Sequence, residues 1–266
     1  MPRSAAGTGA PEASSTLTVH LLGSFRVTLN HAAVSAWPSG RGRSLFKYLV
    51  THRDPWPSRE TLMGTFWPNS PPESARNCLN VAVHGLRRAL RAAADVPVVI
   101  QARGTYRLHP DVSLWLDVEE FEHRVLRGQD HEKAADTARA TAQQELAASL
   151  YQGDFLADDL CEEWPVLGRE RLRLAYLDTL TRLSHSYLNL QQYAACAALC
   201  RLIIERDPCR EDAHRRLMHC YSRQGQPHLA LRQFSLCVEA LRGEFGIDPT
   251  PATIELNERI RDHQLV

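Results

Sequence analysis

Between Pro71 and Arg91 the chain reads PPESARNCLNVAVHGLRRALR. The side chains here that could do chemistry are amides, arginines and one histidine. Arg76, Asn77, Asn80, His84, Arg87, Arg88 and Arg91 recur on one side of a helical projection, and no carboxylate follows Glu73. Arginine and asparagine present paired hydrogen-bonding groups that match guanine and adenine edges in the major groove of DNA. Leu79, Val83, Leu86 and Leu90 recur on the other side at the spacing of an amphipathic helix. Pro71 and Pro72 end what precedes, and Glu73 and Ser74 suit a helix start. The stretch therefore reads as a helix docked on a core with a surface suited to nucleic acid. A merely solvated basic face carries the same residues, so the flanking elements must decide.

A second group of cations stands at Arg103-Gly104-Thr105-Tyr106-Arg107, where two arginines flank a turn glycine. Such a tip suits a phosphate or minor-groove contact. Arg41 and Arg43 stand just before a short helix and are candidate phosphate clamps. Between Gly40 and Arg107 there are 11 Lys/Arg against 4 Asp/Glu. From Leu108 to Val266 there are 18 against 26, although the whole chain of 266 residues has zero net charge. One basic part joined to one acidic part suggests a polyanion-binding domain beside a domain that meets protein.

The elements that would position these residues are short. Leu17–Leu22 and Phe25–Leu29 read as a strand pair, and Ala36–Gly42 as a loop. Ser44–Val50 reads as a helix, and Ser58 caps another that runs to Phe66 or Trp67. Trp67-Pro68-Asn69-Ser70-Pro71-Pro72 is a proline-stiffened loop leading into the basic helix. Val98–Gln101 and Thr105–His109 read as a hairpin, and Val112–Leu116 as a last strand. Two short helices, a longer helix and a hairpin are the parts of a winged helix-turn-helix.

From Asp117 the pattern is helical: Asp117–Leu126, Glu132–Leu150, an irregular connector over Tyr151–Trp164, then Pro165–Leu190, Tyr193–Arg206, Arg210–Arg223, His228–Arg242 and Pro251–Arg261. Leu183 and Leu217, Tyr187 and Tyr221, Cys196 and Ala230, and Cys200 and Phe234 each lie 34 residues apart. That is the tetratricopeptide period, here degenerate, since Ser184 and Met218 replace the usual glycine. A plain helical bundle is the alternative. The fold expected is thus an α+β winged helix-turn-helix over 17–116, then an all-α tetratricopeptide-like domain over 117–266. Residues 1–16, small and polar, read as a disordered tail without the apolar stretch of a signal peptide.

Other function classes lack their residues. Ser44-Leu45-Phe46-Lys47 matches S-x-x-K, but its S-D-N and K-T-G partners are missing, so the match reads as accidental. No P-loop, G-x-S-x-G, H-E-x-x-H or G-x-G-x-x-G occurs. Twelve histidines and seven cysteines show no zinc-finger spacing. Reduced packing cysteines in a cytoplasmic protein are the expectation, with no metal, cofactor, catalytic residue or membrane span. Asp158, Asp159, Glu162 and Glu163 read as carboxylates suited to a helix start.

The chain resembles the Streptomyces antibiotic regulatory proteins, a family of transcriptional activators. The marks are LLGSFRV, SRETLMGTFWP, ESARNCLNVAVHGLRRAL, GTYRL and the closing GIDPTPAT. The resemblance implies an OmpR-like winged helix followed by a bacterial transcriptional activator domain. It puts Arg76, Asn77, Asn80, Val81, His84 and Arg88 on the recognition face and Arg103 to Arg107 on the wing. It further implies double-stranded promoter DNA as partner, bound at direct repeats by more than one copy. RNA polymerase holoenzyme would be met by the loop holding Trp67, Pro68, Asn69 and Ser70, at specialised-metabolite (antibiotic) gene clusters in the nucleoid. Gly85 stands where many relatives carry a polar or basic residue, which suggests close approach of another backbone. A tetratricopeptide-type scaffold with a basic accessory domain is the competing reading.

Overall fold

A computed structural model describes residues 15–38, 40–91 and 97–264. The proposed tail lies outside these residues up to position 14, as does Ser39 of the first loop. Ser15 and Thr16, read as tail, begin a strand.

The chain divides into two units. One takes the chain up to Glu119 and then Gly153–Leu167. The other takes Glu120–Gln152 and the chain from Gly168 on.

The first unit is a winged helix-turn-helix fronted by a sheet. β1 (Ser15–His20), β2 (Arg26–Leu29) and β3 (Ala32–Ala33) form an antiparallel ribbon. β6 (Val112–Leu116) joins β1 in parallel, giving the order β3-β2-β1-β6. Alternation buries Leu17, Val19, Val27 and Leu29 on one face. Three helices follow the ribbon: α1 (Gly42–Thr51), α2 (Arg59–Phe66) and α3 (Pro72–Arg91). The Ser58 hydroxyl accepts from the Thr61 N–H at 3.0 Å, so it caps α2 as its residue type predicts. β4 (Val99–Ala102) and β5 (Thr105–Leu108) make the wing, with Gly104 at φ 80° in its turn.

The approach expected at Gly85 is to a side chain, not a backbone. A Cβ on Gly85 would stand 3.0 Å from Cβ of Pro38, and one on Gly42 would stand 2.5 Å from its Cγ. The Pro38 ring thus wedges between α1 and α3, and two helical glycines make the room.

From Gly153 on, the stretch read as an irregular connector is part of this unit. Leu22 and Phe155 form a β-bridge, the Leu156 N–H donates to Leu21 O at 2.8 Å, and the Gly23 N–H to Asp154 O at 3.1 Å. Two of its acids do not serve a helix start. Asp159 pairs with Lys47, and Glu162 with Arg41. Lys47 is fully buried, 4.3 Å from the Phe25 ring centre, which is the structural use of the S-x-x-K lysine. Burial holds its ammonium below the usual lysine range, against the opposing pull of Asp159.

α4 (Asp117–Lys133) starts in the first unit. The fully buried Asp117 carboxylate accepts N–H bonds from Leu21, Leu22 and Val118 at 2.8–2.9 Å. The helix expected to stop near Leu126 runs on to Lys133, and the break falls at Ala134–Asp136. Asp136 sets it by capping α5 (Thr137–Leu150) through the Arg139 N–H at 3.1 Å.

The second unit continues with α6 (Val166–Asn189), α7 (Tyr193–Arg206), α8 (Glu211–Arg223), α9 (Pro227–Phe245) and α10 (Pro251–Arg261). Its repeat register is realised in packing. Leu183, Leu217, Cys196, Ala230 and Cys200 are buried, and Tyr187, Tyr221 and Phe234 flank the same clusters. The closing GIDPTPAT acts at a helix end. Gly246 leaves α9 at φ 68°, Pro251 opens α10, and Glu211 of α8 accepts from the Thr250 N–H at 2.8 Å. The seven cysteines are free thiols, four of them buried. Among the described residues no helix is long and apolar enough to cross a membrane.

Candidate nucleic-acid interface

α3 divides cleanly by exposure. Ala75, Leu79, Ala82, Val83, Leu86, Ala89 and Leu90 are buried and anchor the helix on the core. Arg76, Asn77, Asn80, Val81, His84, Arg88 and Arg91 are exposed. Asn77, Val81, His84 and Arg88 follow at steps of three or four, so they line one strip along the helix. Asn80 stands beside that strip, one turn before His84. Glu73 in the first turn is the helix's one carboxylate. Val81 is 73% exposed, an apolar side chain in the middle of this polar strip. A thymine methyl group is the apolar feature of a major groove that such a side chain meets.

Arg87 does not join this strip. It is half-buried, and its Nε donates to the Val99 carbonyl at 2.9 Å. It therefore ties α3 to β4 and fixes the wing's position relative to the helix. Within the wing, Arg103 is exposed at the turn with φ 51°, beside exposed Gly104. Thr105 is half-buried, its hydroxyl donating to Ala102 O at 2.9 Å. Tyr106 is 2% exposed and belongs to the core, and its N–H donates to Pro57 O at 3.0 Å. The direct contact expected of Tyr106 is thereby corrected: alternation along β5 turns it inward. Arg107 is half-buried and lines a small cavity with Arg53, Trp56 and Leu108.

Arg41 pairs with Glu162, and Arg43 lies half-buried with its guanidinium 5.9 Å from the Phe25 ring centre. Both cations thus have protein neighbours, and the clamp expected of Arg41 meets a carboxylate already in place. The β-bridge between Ser58 and Thr105 is a feature that spacing could not reveal. It brings the start of α2 against the wing, so that end of the helix and the hairpin form one edge.

The loop before α3 is short and ordered by local bonds. Trp67 closes α2 through its N–H to Met63 O at 2.9 Å, and Ser70 N–H returns to Trp67 O at 3.2 Å. The Trp67 ring is half-buried, tilted against Phe66 at 6.0 Å, while Pro68 and Asn69 are exposed. Among the described residues no group of acids, histidines and cysteines could hold a metal ion.

A winged helix whose third helix is apolar inward and amide- and arginine-rich outward, followed by stacked helix pairs, defines a class of transcription regulators. Residues 116–261 match the bacterial transcriptional activator domain, and residues 37–107 match the C-terminal domain of transcriptional regulatory proteins. The chain belongs to the bacterial transcriptional activator domain family, in the Streptomyces antibiotic regulatory protein group of transcription regulators. It is 26% identical to regulatory protein DnrI of Streptomyces peucetius over 92% of both chains. It is 28% identical to transcriptional regulatory protein EmbR of Mycobacterium tuberculosis over 92% of this chain, spanning 63% of that relative. It spans 23% of regulatory protein AfsR of Streptomyces coelicolor, at 24% identity. The solved structure of Mycobacterium tuberculosis EmbR in complex with a low affinity phosphopeptide superimposes with a TM-score of 0.77. The match covers 95% of this chain and 66% of that one at 23% identity, a likeness of fold.

Proposed function

We propose that this regulator is an activator that reads promoter DNA through the exposed strip of α3. The observation that carries the reading is a carboxylate-free strip of Asn77, Asn80, Val81, His84 and Arg88 on a helix whose opposite face is fully engaged in the core. Asparagine pairs with adenine, arginine with guanine, and Val81 meets a thymine methyl group. Arg103 at the wing tip and Arg76 near the helix start contact phosphates and set register. Arg87 acts indirectly, by holding the wing. Working boundaries of 17–116 for DNA and 117–266 for activation assign Gly153–Leu167 to the chain's second half, although it packs with the first unit.

The remaining parts of the proposal rest on family likeness joined to exposed features. Two copies occupy direct repeats, and the exposed Pro68-Asn69 tip meets RNA polymerase, at specialised-metabolite gene clusters. Binding to promoter-region duplexes, followed by gel shift from low to high salt, tests the DNA claim. A steep salt dependence with a preference for particular duplexes is expected. Binding no tighter than to a random duplex would favour the competing scaffold reading. Changing Asn69 and Ser70 to Glu tests the polymerase contact: DNA affinity should stand while transcription from a bound promoter falls. Equal loss of both would make the loop a spacer.

A further inference from the structure

The exposed strip of α3 has one border where the helix carries no side chain. Gly85 follows His84, four residues after Val81 and three before Arg88, so it lies on the same turns as the strip. On its other side Ala82 and Ala89 are buried. Pro38 stands at this border. A Cβ on Gly85 would lie 3.0 Å from Pro38 Cβ and 3.5 Å from its Cγ. The same ring excludes a side chain at Gly42 of α1, where a Cβ would lie 2.5 Å from Pro38 Cγ and 3.4 Å from the Ala82 carbonyl oxygen of α3. The proline ring, the first turn of α1 and the middle of α3 thus meet at one point.

Pro38 has little freedom to yield there. Its ring fixes its own φ and restricts the residue before it. That residue, Trp37, is seated between two phenylalanines. Its ring centre lies 5.2 Å from that of Phe46, which is fully buried in α1, and 5.1 Å from that of Phe25. Its N–H donates to Ser35 O at 3.0 Å. The wedge is therefore tied to α1 by aromatic packing and bears on α3 by direct contact. Close-packed groups transmit such a displacement instead of absorbing it.

From this we propose that Pro38 is a positioning residue for sequence reading. Seated in the room left by Gly42 and Gly85, it sets the pose of α3 and, through it, the reach of Val81, His84 and Arg88. This role rests on α3 being the helix that reads DNA, and it asks no base contact of Pro38 itself. Hydrogen bonds to base edges are narrow in distance and angle. Phosphate contacts are largely Coulombic, and the exposed Arg76 and Arg103 make them from long side chains. A shifted α3 therefore loses discrimination before it loses affinity for DNA at large.

The test is binding of the full chain, across salt, to the duplex it selects from a random pool and to a scrambled duplex of equal length. Gly85→Ala sets a methyl group against Pro38, and alanine favours a helix over glycine, so this variant keeps α3 helical. Its ratio of affinities, selected over scrambled, should fall about fivefold or more, the worth of one base contact. Scrambled-duplex binding and its salt slope should stay as in the wild type. Gly42→Ala should lower the ratio further. Adding Pro38→Ala to it removes the Cγ that the new methyl group meets and should recover most of the loss. Thermal melts separate reading from folding. An unchanged ratio in Gly85→Ala, a fall on both duplexes in step with the melt, or no recovery in the double variant would overturn the proposal in favour of plain packing. A wild-type chain that selects no duplex would overturn the reading of α3 itself, and this role with it.

Discussion

Asn80 stands on the exposed side of α3, one turn before His84 and next to Val81. Replacing it by alanine removes a bidentate amide without touching the core. Discrimination between preferred and altered duplexes should fall by about 1–3 kcal/mol, while binding to random DNA changes little. Equal weakening on all sequences would make it a backbone contact. Arg103 belongs to the other class. Its loss should lower the slope of log affinity against log salt by about one unit at unchanged sequence preference. An unchanged slope would remove it from the interface. The exposed residues of α3 were legible in the sequence because their spacing and the leucine stripe are two halves of one periodicity. Tyr106 and Arg87 were not. Tyr106 turns inward through strand alternation in a four-residue strand, and Arg87 bonds to a carbonyl twelve residues away that no local pattern marks.

At the level of elements, α1, α2, α3 and the wing appear where proline, serine capping and apolar spacing put them. The segment from Gly153 to Leu167 escaped, because its contacts run to Leu21, Leu22, Lys47 and Arg41, more than a hundred residues earlier. Its main anchor can be tested. Asp159→Asn leaves the buried Lys47 cation without its counter-charge and should cost about 3–5 kcal/mol in chemical denaturation. Replacing both residues with Lys47→Met and Asp159→Leu should recover most of that loss. A single variant as stable as wild type would contradict the pairing. The end of the helical unit has its own signature. Burial pushes the Glu211 carboxyl up, but bonds from Thr250 and Thr253 and the charge of Arg215 outweigh it and leave it below its usual value of 4.5. A depressed carboxylate stabilises the fold above the unfolded value, and that contribution is lost as pH falls through the folded one. Thermal melts from pH 7 to pH 3 should therefore fall less steeply for Glu211→Gln than for wild type. Parallel curves would count against the ionised carboxylate as the anchor of α10.

For the whole molecule, zero net charge conceals a basic winged-helix half and an acidic helical half. That split was plain in composition, because charges sort by surface role and need no long-range contact to be counted. An acidic half would be repelled by a duplex held at the basic half, which favours protein as its partner. Head-to-tail copies on direct repeats follow if the repeats lie about one helical turn, ~10–10.5 bp, apart on the same DNA face. Inserting half a turn between repeats should abolish cooperative binding in a gel shift, and retained cooperativity would mean dimers formed without DNA. The central claim, that α3 reads DNA sequence, is tested most directly by selection from a random duplex pool, with the wild-type chain and an Asn80→Ala, His84→Ala variant run in parallel. The account predicts that the wild type enriches a direct repeat, and that the variant enriches a motif degenerate at the positions these two residues contact. No enriched motif, or the same motif from both chains, would contradict it.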